Sequence, residues 1–388
     1  MNIGLLWHSF SSGNLGVGAL SLANLELIDS VVKARGLKAH YIVIGSSGPC
    51  DYSPRNDKYS YEFVEFSEKT LLKRPQAILG SIRKCDVVFD IGEGDSFADI
   101  YGYKRIAKLL LSKALVVLSK KTLVLSPQTI GPFHRASSIF FAKKILRRCK
   151  ETIARDQQSF AVLKDMGVEN IAETIDVAFS LPYQKMKVKT VADKIAVGIN
   201  ISALLHAGGY NGGNQFSLKT DYVELTKRLI EHLLARPEFE IHLVPHVIPT
   251  EFSSEDDYAV SEVYAKKYDR IILAPRFKGP EEAKSYISGL DYFTGARMHA
   301  TIGAFSSSVP VTPLAYSRKF AGLFNSINYT RVLDLREQTT EDVLTKILSD
   351  IDERAKLKNE IHNAKASIDS RLEKYKSIIN RVIGDVTC

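Results

Sequence analysis

The chain has 388 residues, of which 45% are hydrophobic and 25% charged, and its formal net charge is +8. This ordinary globular composition predicts two or three domains and excludes a disordered chain, a collagen-like chain and a small disulfide scaffold. The four cysteines form no CxxC or Cys/His cluster, so no metal site is predicted. The N-terminus lacks signal-peptide features and no apolar run approaches 18 residues, so we expect a cytoplasmic protein without a membrane-spanning segment.

Short apolar runs alternate with longer amphipathic stretches, which predicts an α/β fold of parallel sheets with helices on both faces. The first half has predicted strands at 2–7, 38–44, 86–91, 122–125 and 151–154, and predicted helices at 18–35, 99–118, 136–149 and 156–166. A polar, lysine-bearing stretch at 182–193 interrupts the pattern. The second half has predicted strands at 194–201, 240–244, 270–273, 290–294 and 309–314, and predicted helices at 220–235, 281–288, from about 299, and 319–325. This restart predicts two similar Rossmann-like domains, 1–183 and 184–388.

The C-terminal residues predict one long helix. Its apolar residues step by three and four along one face: Ile361, Ala364, Ile368, Leu372, Tyr375, Ile379 and Val382. Two interpretations stay open. The helix packs back across the two domains, or it forms a coiled-coil dimer.

The positive charge is concentrated in the first half of the chain. Residues 104–150 contain twelve basic residues and no acidic one. Such a stretch could face an anionic membrane or a phosphorylated substrate, or could simply cover two solvated helix faces. We expect no nucleic-acid partner, because no DNA- or RNA-binding motif accompanies the charge.

Polar loops follow the predicted strands of the first domain, at the edge where open α/β sheets bind ligands. The loop 11–18 is rich in glycine and opens a helix, the loop 90–99 carries several carboxylates, and the loop 126–134 carries neutral donors and a histidine. Carboxylates there can accept a proton from a sugar hydroxyl or hydrogen-bond it; alternatively, Asp95 or Ser96 caps the next helix. The candidate site residues of these loops are Asn14, Gly94, Asp95, Asp99, Gln128 and His134.

Arg155 lies at the end of another predicted strand and is a candidate ligand for a carboxylate or phosphate group. The alternative is a structural ion pair with Asp156 or Asp176. In the second domain, Arg297 and His299 lie where a strand enters a helix, which places charge beside a helix N-terminus.

This junction is the strongest anion-site signal in the sequence. Tyr316 and Lys319 follow at the next strand end and are further candidates for substrate binding.

A set of motifs in fixed order resembles the polysaccharide pyruvyl transferase family over roughly residues 1–330. The motifs are GNLG, DIGEGDSFAD, SPQTIGPF, ARDQQS, IDVAFSL, VGINIS and ARMHATIGAF…VPVTPLAYSRKF. The resemblance implies a GT-B-like arrangement, in which two Rossmann-like domains face a cleft, and requires no metal. It also implies that Arg155, Arg297 and His299 hold phosphoenolpyruvate. Val17 stands where family members often carry an acidic residue after the GNxG element.

The implied reaction moves the enolpyruvyl group of phosphoenolpyruvate onto two hydroxyls of a sugar in a cell-surface or exopolysaccharide precursor. No cofactor is needed besides this donor, and a lipid-diphosphate-linked acceptor would bring the protein to the inner face of the membrane. His299 would donate a proton, and Asp95 or Asp99 would serve as the base. Two alternatives stay open: a GT-B glycosyltransferase that uses a nucleotide sugar, and a non-catalytic binding protein on the same fold.

Overall fold

A computed structural model of the protein describes residues 1–54, 58–94, 97–100, 102–189, 191–249 and 254–387. These residues form two parallel sheets with flanking helices, as the alternating pattern predicts. The first sheet contains β1 Asn2–Leu6, β2 His40–Gly45, β3 Ser60–Glu65, β4 Val87–Asp90, β5 Thr122–Gln128, β6 Glu151–Ala154 and β7 Ile171–Glu173. The second sheet contains β8 Ile195–Asn200, β9 Phe239–Leu243, β10 Ile271–Leu273, β11 Tyr292–Gly295, β12 Val311–Ala315 and β13 Leu333–Asp334.

The strand orders are β3-β2-β1-β4-β5-β6-β7 in the first sheet and β10-β9-β8-β11-β12-β13 in the second. Each order reverses once, beside β1 and β4 in the first sheet and beside β8 and β11 in the second. In open parallel sheets, ligands bind beyond the carboxyl ends of the strands at such a reversal. The loops that leave these strands are therefore where a site is expected.

The helices are bounded as follows: α1 Leu15–Ala34, α2 Glu68–Lys73, α3 Pro75–Lys84, α4 Tyr103–Leu118, α5 Ala136–Leu146, α6 Gln157–Asp165, α7 Ala203–His206, α8 Tyr222–Leu234, α9 Asp257–Lys267, α10 Pro280–Ile287, α11 Met298–Ser306, α12 Arg318–Asn325, α13 Thr340–Asp352 and α14 Arg354–Thr387. Short 3-10 helices lie at Gly92–Gly94 and Val177–Ser180. The sequence pattern missed β3, because this strand lies at the edge of the sheet and its side chains are largely exposed. An edge strand lacks the apolar run of a buried one.

Helix α1 is a core helix of the first domain, and it also packs against the second domain. It is long and apolar enough to cross a membrane by length and composition, but 83% of its most apolar window is buried inside the protein. It packs against α10 and α11 of the second domain and against α14. Because its apolar surface is covered on several sides, α1 is part of the protein core.

Helix α14 crosses back onto the first domain. The apolar stripe predicted along it is buried, and the Tyr375 hydroxyl donates a hydrogen bond to Asn24 Oδ1 over 2.7 Å. Arg35 Nε donates to Asn380 Oδ1 over 2.7 Å, close to the helix end. The stripe is thus covered by the chain itself, as in the first of the two interpretations. The predicted boundary between residues 183 and 184 precedes β8 and stays a prediction.

Candidate active site

The loop before α1 belongs to the first domain and contacts the second. Asn14 caps the helix, and its Oδ1 accepts a hydrogen bond from Gly16 N over 3.0 Å. On the other side of the loop, Ile248 N donates to Gly13 O over 2.7 Å, so the backbone pairs with the second domain. A Cβ on Gly16 would lie 2.4 Å from the Nδ1 atom of His299. The glycine therefore allows the imidazole to contact the first turn of α1.

Arg155 forms a buried ion pair at the end of β6. Its Nη1 donates to Asp176 Oδ2 over 2.8 Å, and its Nε donates to Thr129 Oγ1 over 2.7 Å. This is the structural ion pair considered from the sequence as the alternative, with Asp176 as the partner, because Asp156 caps α6 by accepting from Ser159 N. Binding of an anionic ligand by Arg155 stays a prediction. The carboxylate of Asp176 is fully buried, and its Oδ1 accepts from a backbone N–H of the following 3-10 helix.

Asp176 also faces the second domain. The Nε2 atom of His299 lies 3.7 Å from Asp176 Oδ2, an electrostatic contact beyond ordinary hydrogen-bond distance. Burial by itself would raise the pKa of Asp176, but the charges of Arg155 and His299 outweigh it and hold the pKa below its ordinary value. The structure thus brings two of the predicted site residues, Arg155 and His299, to one ionised carboxylate between the domains.

Arg297 has a different environment although it is two residues from His299. Its guanidinium donates to Asp257 through Nη2 (2.9 Å) and Nε, and to Glu255 Oε2 through Nη1 (3.2 Å). Burial would lower the pKa of Arg297, but these carboxylates outweigh it and raise the pKa above its ordinary value. Asp257 in turn accepts from Ala203 N and holds that turn in place. As arranged, Arg297 anchors the second-domain loops, and its predicted contact with an anion stays a prediction.

Two buried basic side chains that sequence reasoning missed lie beside His299. Together with it they line a cavity of about 10 Å³, roughly the space of one water molecule. Both ring nitrogens of His246 lack a hydrogen-bond partner among the described residues. Burial and the positive charges of His299 and Arg297 lower the pKa of His246 to about 3.

Lys284 is the second of these side chains. Its Nζ donates to Leu181 O over 2.7 Å and to Phe179 O over 3.3 Å, and burial lowers the pKa of its amine to about 7. Two features of the sequence could have indicated these residues. His246 is a polar residue shortly after the buried strand β9, and Lys284 lies on the buried face of α10 together with Ala283 and Ile287.

The acidic loop after β4 is only partly within the described residues. Asp95 lies outside them, and Gly94 ends the 3-10 helix Gly92–Gly94. Gln128 stabilises the start of this loop, because its Nε2 donates a hydrogen bond to Asp90 O over 2.9 Å. A Cβ on Gly92, whose φ is +69°, would lie 2.4 Å from Gln128 Oε1. Gln128 therefore helps to position the loop through its Nε2, and its predicted contact with substrate stays a prediction.

Asp99 caps the start of the α5 segment. Its carboxylate accepts hydrogen bonds from His134 N (3.0 Å) and Arg135 N (2.8 Å). Burial would raise the pKa of Asp99, but these N–H bonds outweigh it and lower the pKa. The His134 side chain is exposed. The structure gives Asp99 a capping role at α5, and its role as a base stays a prediction. The capping role considered from the sequence for Asp95 or Ser96 lies outside the described residues.

The last two candidates lie after β12. Tyr316 packs edge-on against Phe216, with ring centroids 5.0 Å apart. Its electrostatic interaction with Arg297 is one of the causes that raise the pKa of that arginine. Lys319 belongs to α12, and its side chain lies outside the described part of the structure. The structure thus brings Asn14, Arg155, Arg297, His299 and Tyr316 to the facing carboxyl edges of the two sheets.

Comparison with solved structures identifies the fold. Sucrose-phosphate synthase from Thermosynechococcus elongatus has a TM-score of 0.63 at 10% identity, covering 100% of this chain and 99% of that chain. A glycosyltransferase from Rickettsia africae has a TM-score of 0.59 at 11% identity, covering 98% of both chains. UDP-GlcNAc 2-epimerase from Neisseria meningitidis has a TM-score of 0.56 at 11% identity, covering 96% of this chain and 100% of that one. At these identities the likeness shows the fold alone, a two-domain GT-B fold.

The family follows from the sequence. A family model described as polysaccharide pyruvyl transferase matches residues 22–318, and the chain belongs to this family. No curated protein sequence matches the chain significantly. Family membership supports a transferase that acts in polysaccharide pyruvylation in general.

Proposed function

We propose that this protein transfers the enolpyruvyl group of phosphoenolpyruvate to two hydroxyls of a sugar in a cell-surface or exopolysaccharide precursor. The products are a pyruvate ketal and inorganic phosphate. The observation that carries the proposal is the contact of Arg155 and His299 with one buried carboxylate, Asp176, between the two domains. It places two basic side chains, one from each domain, at the facing sheet edges, and phosphoenolpyruvate is a compact anion with about three negative charges near neutral pH.

In the proposed mechanism, protonated His299 donates a proton to the methylene carbon of phosphoenolpyruvate. The neighbouring carbon becomes an oxocarbenium-like centre, and the first sugar hydroxyl attacks it and loses its proton. Phosphate then leaves with the C–O bonding electrons, and the second hydroxyl attacks the same carbon and loses its proton. One of the two released protons replaces the one that His299 gave, and the other balances the phosphate.

The base for the hydroxyl is best assigned to the acidic loop after β4. Asp99 already accepts hydrogen bonds from two backbone N–H groups, and this leaves it poorly suited to take up a proton. We therefore propose Asp95 for this role. Ionised Asp176 would attract the imidazolium of His299 and orient its ring, a positioning role rather than a chemical one.

Phosphate release from phosphoenolpyruvate, measured with a panel of lipid-diphosphate sugars, tests the proposal. His299→Gln keeps a hydrogen-bonding side chain but no acid, so turnover should fall by roughly 10²–10⁴-fold. His232→Gln is the matched control, because this histidine is exposed on α8, and it should leave turnover unchanged.

The same panel distinguishes the alternatives. Sugar transfer from a UDP-, GDP- or CMP-sugar, without phosphate release from phosphoenolpyruvate, would identify a glycosyltransferase. Binding of these ligands without turnover would identify a binding protein.

A further inference from the structure

Helix α5 exposes large apolar side chains. Phe140 and Phe141 are 56% and 53% exposed, and Ile139 beside them is 39% exposed. The two aromatic rings contact each other edge to face, with centroids 5.3 Å apart. The opposite face of α5 is buried in the first domain, so these residues are not needed to hold the helix in place. Contiguous exposed apolar surface of this kind marks an interaction site.

Cationic side chains accompany the two rings along α5, and one of them, Lys144, contacts a ring. Lys144 Nζ lies 5.1 Å from the Phe140 ring centroid, and Arg148, one turn further, donates to Lys144 O. At the other end of the helix, the Arg135 guanidinium lies over the ring of Tyr103. No acidic residue occurs between positions 104 and 150, so neither α4 nor α5 offers these cations a carboxylate. We call Arg135, Ile139, Phe140, Phe141, Lys144 and Arg148 the α5 surface.

Helix α5, which carries the α5 surface, begins close to the candidate site. The loop after β5 carries Thr129, which accepts a hydrogen bond from Arg155, and the same loop runs into α5. Asp99 holds the start of that helix through the N–H groups of residues 134 and 135. The N-terminal end of α5 is therefore fixed at the carboxyl edge of the first sheet.

We propose that the α5 surface docks the protein on an anionic lipid bilayer. Phe140 and Phe141 would enter the interfacial layer, while Lys144 and Arg148 would face the lipid phosphates. Aromatic rings flanked by cations suit this layer, where one end of a side chain is apolar and the other meets charged headgroups. A complementary protein surface would have to supply several carboxylates around an apolar socket, whereas anionic lipids present both features everywhere. This inference does not depend on the proposed reaction.

Vesicle sedimentation tests the proposal with the full-length protein. The two probes are pure phosphatidylcholine vesicles and vesicles that contain phosphatidylglycerol. The wild type should bind the anionic vesicles, and binding should weaken steeply with salt, because exposed charges are screened over about 8–10 Å. Phe140→Ser with Phe141→Ser, and separately Lys144→Glu with Arg148→Glu, should each lower the partition coefficient roughly tenfold or more. Val263→Ser with Lys267→Glu, a matched exposed pair on α9, should leave it unchanged.

Three results would overturn the proposal. The first is equal recovery of the wild type with neutral and anionic vesicles at low salt. The second is unchanged binding in either α5 pair, since the proposal needs both the rings and the cations. The third is a dimer, measured by light scattering, that the Phe140/Phe141 pair dissociates, because a second copy of the chain would then cover this surface. Unfolding temperatures of all variants should stay near that of the wild type, because the substituted side chains are exposed.

Discussion

Arg155 and Arg297 both follow the carboxyl end of a strand, yet their surroundings differ. Arg155 pairs with Asp176, a carboxylate that also faces His299 across the domain boundary. Arg297 lies between Asp257 and Glu255, within its own domain. A strand-end position thus predicts where a charged side chain goes, but both guanidinium groups are buried and paired with carboxylates. What differs is that the partner of Arg155 also faces His299 of the other domain, whereas the partners of Arg297 lie in its own domain. We propose that Arg155 acts at the site and that Arg297 anchors the second-domain loops.

The largest effect should come from Arg297→Ala. The substitution leaves Asp257 buried without its cation, and breaking a buried pair in this way costs about 3–5 kcal/mol of the free energy of unfolding. Urea denaturation measures this, with Arg83→Ala on the exposed face of α3 as the control. A loss below about 1 kcal/mol would show that Arg297 is not the anchor described here.

Arg155→Ala should cost a similar amount of stability and should act more specifically on activity. Asp176 would keep the contact with His299 and the N–H of Ala178 but, like Asp257, would be left buried without its guanidinium, so the stability loss should again be about 3–5 kcal/mol. The apparent affinity for phosphoenolpyruvate should fall roughly tenfold or more, because one charge-assisted contact to the anion is lost. If Arg155→Ala folds and keeps the wild-type affinity for phosphoenolpyruvate, the comparison between the two arginines fails.

Gly16→Ala tests the contact between α1 and His299. The added Cβ would lie 2.4 Å from the imidazole Nδ1, so the ring or the helix must shift. Overpacking of this kind costs about 1–3 kcal/mol, and displacement of the ring should lower turnover roughly tenfold or more. Gly80→Ala in α3 is the matched control, because its Cβ would meet open space and alanine favours a helix. Equal kinetics in the two variants would separate Gly16 from the site.

Lys284→Met should change how stability depends on pH. Burial lowers the pKa of the Lys284 amine from 10.5 to about 7, so between these pH values the unfolded chain binds more protons than the folded one. Wild-type stability therefore gains from this group as pH rises through that window, by up to about 1.4 kcal/mol per pH unit. The methionine variant lacks this pH-dependent gain. Loss of the two Lys284 hydrogen bonds also changes its stability, but not the slope of stability against pH.

Urea unfolding at pH 7, 8 and 9 measures the slope. Lys278→Met, on an exposed lysine, should keep the wild-type slope. Parallel curves for wild type and Lys284→Met would contradict a neutralised buried amine.

The sequence predicts the two sheets and the strand ends that carry Arg155 and His299, because both follow from local patterns of apolar and polar residues. The pairing of Arg155 stayed open between Asp156 and Asp176, since it depends on how Asp156 caps its own helix. His246 and Lys284 were missed because their role depends on burial between the domains, which no local pattern reports. The ion pair between Arg297 and Asp257 was not predicted either, because the sequence pattern did not indicate helix α9, which begins at Asp257.

A double-mutant cycle on Asp176 and His299 tests the central claim most directly. Turnover of phosphoenolpyruvate is measured for the wild type, Asp176→Asn, His299→Gln and the double variant, together with their unfolding free energies. If Asp176 acts by positioning His299, the double variant should lose little more turnover than His299→Gln alone, which gives a strongly non-additive cycle. Additive losses of turnover in folded variants would contradict a working unit formed by these two residues across the domain boundary.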